Sequence, residues 1–238
     1  MAIPIQILLI FSSVFLGGIL VQIFKKESNL KLLLSFSGGY LLTIIFTHIL
    51  PDTYNHIGHE AGFFILGGFL LQLFLEYFSK GVEHGHTHTH SLGKSFPIIL
   101  FISLSIHAFV EAIPLTTHHH GHNHSHDLGS MDLFWGIFLH KVPVAVALLT
   151  VFKASGLSNF KSWIYLGVFG LMAPIGLIFG AYLTDNFAMN TDWIMAIAIG
   201  MFLHISTTII FESSEGHKIN FMKLLAIIIG FGLGVAVS

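Results

Sequence analysis

Eight long apolar segments make up most of this chain and limit what it can fold into. Each is close to the roughly 20 residues that an α-helix needs to cross a bilayer. Only 9% of the 238 residues are charged, whereas a soluble domain usually carries about 25%. We therefore predict an all-α polytopic membrane protein with eight transmembrane helices in a single domain, residues 1–238. The predicted spans are residues 3–24, 31–50, 61–79, 96–115, 132–152, 163–184, 192–211 and 219–237.

The positive charges mark one side of this predicted bundle. All ten basic residues are Lys, and the first, third, fifth and seventh connections contain Lys whereas the others do not. Because positive loops are retained in the cytoplasm, an even number of spans places both termini outside. The net charge of −2 gives no basic surface and excludes nucleic-acid binding. The absence of Cys excludes disulfide and thiolate–metal sites.

Two of the connections are rich in His. Residues 80–95, predicted to be cytoplasmic, and residues 116–131, predicted to be extracytoplasmic, hold many of the 17 His residues. The alternating pattern HGHTHTH is typical of weak, exchangeable binding of divalent transition metals by imidazole. A pH-sensitive or merely soluble polar loop is the alternative.

Ionisable residues also lie inside the predicted spans. Each costs about 2.5 to 3.5 kcal/mol at bilayer depth, so a functional role is the first hypothesis. His107 and Glu111 share one face of the fourth span at i, i+4 spacing, where both can ligate one metal ion. His140 and Lys141 lie at comparable depth in the fifth span, and a proline follows three residues after both Glu111 and His140. The alternative is that the two His residues only pack helix against helix.

The second and seventh spans carry further ionisable residues and resemble each other. His48 and Asp52 lie at the outer end of the second span, whereas His204 lies inside the seventh and Glu212 at its cytoplasmic end. We predict that these four residues line the metal pathway, and that Glu76 in the third span is solvated at the membrane interface. Because the two spans run in opposite directions, their likeness is the weak signature of an inverted-repeat transporter. The matched pairs are Gly39 and Gly200, Leu42 and Leu203, Ile44 and Ile205, Thr47 and Thr208, and Ile49 and Ile210.

The chain resembles the ZIP family of divalent metal transporters. The resemblance covers most of the chain and rests on the eight spans, the His-rich third connection, HILPD closing the second span, HAFVE in the fourth, HKVP in the fifth and APIG in the sixth. In that family, the fourth and fifth spans form the transport site. The resemblance implies that His107, Glu111 and His140 are the primary metal ligands.

The departures from the family pattern concern a second metal. The family usually has an acidic or amide residue directly after the fifth-span His and a Glu after the Pro, where this chain has Lys141 and Val144. The residue after the fourth-span His is usually Asn or Ser, and here it is Ala108. Members with the fuller motif hold two adjacent metals. We predict one metal here, with the Lys141 ammonium in place of the second.

The resulting prediction is transport of a divalent transition metal toward the cytoplasm by alternating access. Zinc is the expected cargo because two imidazoles and a carboxylate suit tetrahedral Zn²⁺, while Fe²⁺, Mn²⁺, Co²⁺ and Cd²⁺ stay open. The outer capture ligands would be residues 118–126 with Asp52, His56 and His59. We expect no permanently bound cofactor and no ATP-dependent step.

Two other functions stay open at this stage. The first is a non-transporting metal sensor, suggested by Lys141 and Val144. The second is an intramembrane zinc-dependent hydrolase using Ser103 or Ser105, although we expect no enzyme, since hydrolysis leaves the His-rich loops unexplained. The short loops favour a bacterial inner (plasma) membrane, and the sequence leaves open whether the chain forms a homodimer.

Overall fold

The computed structural model describes residues 1–22, 27–79, 97–116, 127–187, 192–212 and 220–237, and every regular element within these ranges is helical. Both stretches of clustered His, residues 84–90 and 118–126, lie outside the described residues. The described α-helices are α1 (Ile3–Leu20), α2 (Glu27–Ile44), α3 (Leu50–Ile57), α4 (Glu60–Ser79), α5 (Ile98–Val110), α6 (Asp127–Ala154), α7 (Asn159–Phe187), α8 (Asp192–Glu212) and α9 (Phe221–Val237).

The helices have the length and composition of membrane spans. Among the described residues, seven helical segments are long and apolar enough to cross a bilayer, and α9 is an apolar helix of 17 residues. At 1.5 Å per residue, α9 is about 26 Å long, close to the hydrocarbon thickness of about 30 Å. The predicted all-α, polytopic membrane fold is confirmed.

Successive spans alternate in direction. Gly17 of α1 lies beside Val142 of α6, and Met1 lies beside Met131, so α1 and α6 run parallel. Phe64 stacks on Trp193 and Gly68 lies beside Ile197, so α4 and α8 also run parallel to each other. The second, fourth, sixth and eighth spans run in the opposite direction. Both described ends of the chain therefore lie at one end of the bundle. The distribution of Lys predicts that this end is the outer one.

The second span is longer than the sequence predicts. Its expected end at Leu50 is wrong, because the helix continues through one π-helical turn, Ile45–Ile49, into α3, and the whole apolar segment covers Ser28–Ile57. Pro51 has no N–H to donate to the Thr47 carbonyl, and its ring crowds that turn. A wider turn before the proline relieves this clash without ending the helix. Asp52 and the residues after it are thus helical rather than part of a loop.

The fourth span is interrupted where the polar residues lie. Helix α5 ends at Val110, Glu111 and Ala112 form a turn, and a short 3₁₀ helix covers Ile113–Thr116. Pro114 explains this end, since it cannot donate a hydrogen bond to the carbonyl of Val110. The fifth span behaves differently, because α6 passes through Pro143 without a break.

The equivalent glycines of the second and seventh spans make equivalent contacts. Gly39 of α2 approaches the backbone of Ile227 in α9, and Gly200 of α8 approaches the backbone of Ile65 in α4. In both places a side chain would meet the neighbouring helix, so only glycine allows this approach. The pair α2–α9 is therefore the counterpart of α8–α4, as the predicted inverted repeat requires.

The helices form two groups by their mutual contacts. The α1 group consists of α1, α5, α6 and α7, and the α2 group consists of α2 with α3, α4, α8 and α9. At several of the described glycines, an added Cβ would meet the backbone of a neighbouring helix. In each case that helix belongs to the same group as the glycine. The groups touch each other mainly where α2 meets α6 and where α4 meets α5.

Candidate metal transport site

Among the described residues, one group of His and acidic side chains has the geometry to hold a metal ion. It consists of His107, Glu111 and His140, whose ligand atoms all lie within 4.8 Å of one another. These side chains are buried, with exposures of 1%, 0% and 0%. The three residues that the sequence predicts as primary ligands are thus brought together inside the bundle.

The end of α5 sets the position of the carboxylate. The Glu111 backbone N–H still donates to the His107 carbonyl at 3.1 Å, so the last helical turn is intact and keeps the i, i+4 relation. His107 Nε2 lies 3.1 Å from Glu111 Oε2. The His140 ring stands almost perpendicular to the His107 ring, with centroids 6.2 Å apart. Two imidazoles and one carboxylate therefore converge from two helices.

Lys141 completes the site. Its Nζ forms an ion pair with Glu111 Oε1 and lies 5.3 Å from the centre of the Phe169 ring on α7. One oxygen of Glu111 thus faces an imidazole and the other faces the ammonium. A buried carboxylate needs such partners, because an uncompensated charge at this depth is strongly unfavourable.

Besides Lys141, the two positions that depart from the family pattern are apolar here. Val144 and Ala108 belong to one buried apolar cluster together with Leu104 and Leu148. Neither side chain has a ligand atom. Neither Val144 nor Ala108 therefore replaces the missing acidic residue.

Two His–carboxylate pairs lie toward the predicted outer end. His48 Nδ1 is 2.8 Å from Asp132 Oδ2, which joins the π-helical turn of the second span to α6. His56 Nδ1 is 3.4 Å from Asp192 Oδ1 at the start of α8. Asp52 lies half-buried in α3. Sequence reasoning missed both Asp132 and Asp192, because each is the first residue of a predicted span and looks like a boundary charge.

A further pair lies toward the predicted inner end. His204 Nε2 is 3.3 Å from Glu76 Oε2, and the Glu76 side chain is 18% exposed. The expectation that Glu76 is solvated at the interface is therefore wrong, because α4 and α8 pack closely and bring it against His204. Glu212 is the last residue of α8, and its side chain lies outside the described residues.

A family model described as ZIP zinc transporter matches residues 83–238, which is more than half of the chain. The chain belongs to the ZIP zinc transporter family. It is thus a membrane transporter for divalent metal rather than an enzyme, and the hydrolase alternative is not supported. Ser103, one candidate nucleophile of that alternative, donates its hydroxyl to the Leu75 carbonyl at 2.6 Å.

Two relatives of this ZIP protein are both named zinc transporter ZIP1. The one from Takifugu rubripes is 24% identical over 265 residues, which cover 88% of this chain and 84% of the relative. The one from Danio rerio is 26% identical over 160 residues, covering 64% of this chain and 50% of the relative. Both are fish proteins, so they give no support to the predicted bacterial membrane. An integral membrane location is supported by the family and by the apolar helices.

Proposed function

We propose that this protein carries zinc across the membrane, toward the cytoplasm, through a single site formed by His107, Glu111 and His140. The observation that carries the proposal is the convergence of these three buried side chains within 4.8 Å. Two imidazoles, one carboxylate and one water are a ligand set that tetrahedral zinc accepts. The same ligands also suit Fe²⁺, Mn²⁺, Co²⁺ and Cd²⁺, which we propose as secondary substrates.

The site holds one metal because Lys141 takes the position of a second. Its ammonium forms an ion pair with Glu111 Oε1. When zinc binds, two positive groups share one carboxylate, so binding is weaker than in a resident zinc site. Weak binding suits a transporter, which must release its cargo.

The His–carboxylate pairs form the remainder of the route. The pairs at His48 and His56 would receive zinc from the predicted outer side, together with Asp52 and the His-rich residues 118–126. His204 with Glu76 would receive it on the inner side, followed by Glu212. Each step exchanges an imidazole or carboxylate ligand for a similar one, so no step leaves zinc without donors.

Alternating access would displace one helix group against the other. His107 lies on α5, Glu111 lies in the turn that directly follows α5, and His140 lies on α6, and both helices belong to the α1 group. The described glycines that approach a neighbouring backbone face a helix of their own group, whereas Gly136 of α6 meets side chains of α2. A displacement of the α1 group would therefore carry the site with it.

Zinc flux into proteoliposomes tests the proposal. We expect wild-type flux to be saturable, and we expect flux to fall to background when His107→Ala and His140→Ala are combined. Deletion of residues 84–90 is the control, because it removes His residues that lie outside the central site, and it should leave flux in place. Zinc binding without flux in the wild type would overturn the proposal in favour of a non-transporting metal sensor.

A further inference from the structure

A buried amide contacts the transport site from outside its ligand set. Gln72 of α4 is fully buried, and its Oε1 lies 3.0 Å from His107 Nδ1. The other ring nitrogen of His107 faces Glu111 Oε2 at 3.1 Å. An oxygen thus faces each nitrogen of the imidazole, but only the contact from Nδ1 to Gln72 has the geometry of a hydrogen bond.

These two contacts favour opposite tautomers of the neutral imidazole of His107. A neutral imidazole has one N–H and one lone pair. The amide oxygen of Gln72 can only accept a hydrogen bond, so it stabilises the form with the hydrogen on Nδ1. Glu111 would stabilise the form with the hydrogen on Nε2, and that form has no lone pair on the nitrogen that faces the site.

We propose that Gln72 is a positioning residue that keeps the hydrogen of His107 on Nδ1 and so leaves Nε2 free to bind zinc. The inference rests on the proposed zinc site and extends it with a residue that binds no metal. Metal-ligating His residues commonly donate their second N–H to an oxygen acceptor, and loss of that acceptor typically costs 10- to 100-fold in metal affinity.

Gln72 also links the site to the other helix group. It belongs to α4 of the α2 group, whereas His107 belongs to α5 of the α1 group. The neighbouring bond from Ser103 Oγ to the Leu75 carbonyl, at 2.6 Å, fixes the register of α4 against α5 at this place. A displacement of the groups breaks the bond from His107 to Gln72. Zinc affinity is therefore highest in the arrangement seen here and falls when the groups move, which assists release.

The test compares three variants in zinc transport and zinc binding. Gln72→Met keeps the length of the side chain but removes the acceptor, and we expect the KM and Kd for zinc to rise about 10- to 100-fold while kcat changes far less. Gln72→Glu restores an acceptor oxygen and should return the Kd close to the wild-type value. The matched control is Gln6→Met, the same exchange at a buried glutamine on α1, and it should leave KM and Kd unchanged.

A second measurement reports the ring directly and needs no transport. In ¹⁵N-histidine NMR of the zinc-free protein, the His107 signals are identified by their loss in His107→Gln. We expect the Nδ1–H form in the wild type and the Nε2–H form in Gln72→Met. An Nε2–H form in the wild type, or an unchanged Kd in a folded Gln72→Met, would overturn the inference. Absence of zinc flux in the wild type would instead overturn the proposed function, so the two failures are distinguishable.

Discussion

At the scale of single residues, the arrangement of charge around Glu111 explains how its carboxylate can be buried inside the bundle. The carboxylate faces His107 on one side and Lys141 on the other, and all three are shielded from water. Zinc bound at the proposed site would therefore compete with the ammonium for the same carboxylate. Removal of the ammonium should make the protein depend on zinc for its stability.

The variant Lys141→Met tests this competition, because it keeps the length of the side chain and removes the charge. Without zinc, the uncompensated Glu111 should lower Tm by at least about 5 °C, since breaking a buried pair costs about 3 to 5 kcal/mol. Zinc should then raise Tm more than in the wild type and bind about tenfold more tightly. Thermal unfolding and calorimetric titration measure both effects. An unchanged Tm together with unchanged zinc affinity would show that Lys141 is not coupled to the site.

Intramembrane charge is so unfavourable that each case needs a reason, and this rule singles out the central residues in the sequence. His107, Glu111, His140 and Lys141 stand out on that ground alone, and the structure places them together. Gln72 was not predicted, since an uncharged amide inside an apolar span gives a weaker signal. Only its i, i+4 spacing to Glu76 could have pointed to a polar face on α4.

At the scale of elements, close packing through glycine holds each helix group together. Gly67 and Gly68 are neighbours on α4 with opposite surroundings. A side chain at Gly68 would meet the backbone of Ile197 on α8, whereas one at Gly67 would meet open space. The two positions form a matched pair for testing the packing of α4 against α8.

We expect Gly68→Ala to destabilise the folded protein by about 1 to 3 kcal/mol, because overpacking forces the two helices apart. Gly67→Ala should cause no loss, since alanine is the better helix former and nothing opposes it. Reversible unfolding of both variants in detergent micelles measures the difference. Equal stability of the two variants would contradict the close approach of α4 and α8.

The bounds of the helices are a feature that the sequence predicts only in part. The length of an apolar segment predicts that a span exists. It does not predict that the helix continues through Pro51 by way of a π-helical turn, or that α5 ends before Pro114. The difference depends on which neighbouring groups satisfy the freed carbonyls, and this is a property of the packed bundle. The pairs His48–Asp132 and His204–Glu76 could not be predicted for the same reason, because they join residues from different helices.

At the scale of the whole molecule, the route that we propose across the membrane consists of separate His–carboxylate pairs on either side of the central site. The inner pair of His204 and Glu76 lies within the α2 group, so it does not move with the site. Its contribution would be to accept zinc after the groups have moved.

The variant Glu76→Gln should therefore lower the maximal rate of zinc transport and leave the zinc affinity of the central site close to the wild-type value. The matched control is Glu60→Gln, which changes an exposed carboxylate at the opposite end of the same helix. Flux measured over a range of zinc concentrations separates the two parameters. A rise in KM with an unchanged maximal rate would place Glu76 in capture rather than release.

The central claim is that one zinc ion binds between His107, Glu111 and His140. Anomalous diffraction at the zinc absorption edge, from crystals of the transporter lacking residues 84–90, tests it most directly. We predict a single peak within the bundle, about 2.0 to 2.2 Å from a nitrogen of each His and an oxygen of Glu111. A second peak beside Lys141, or a peak only at other residues, would contradict the account.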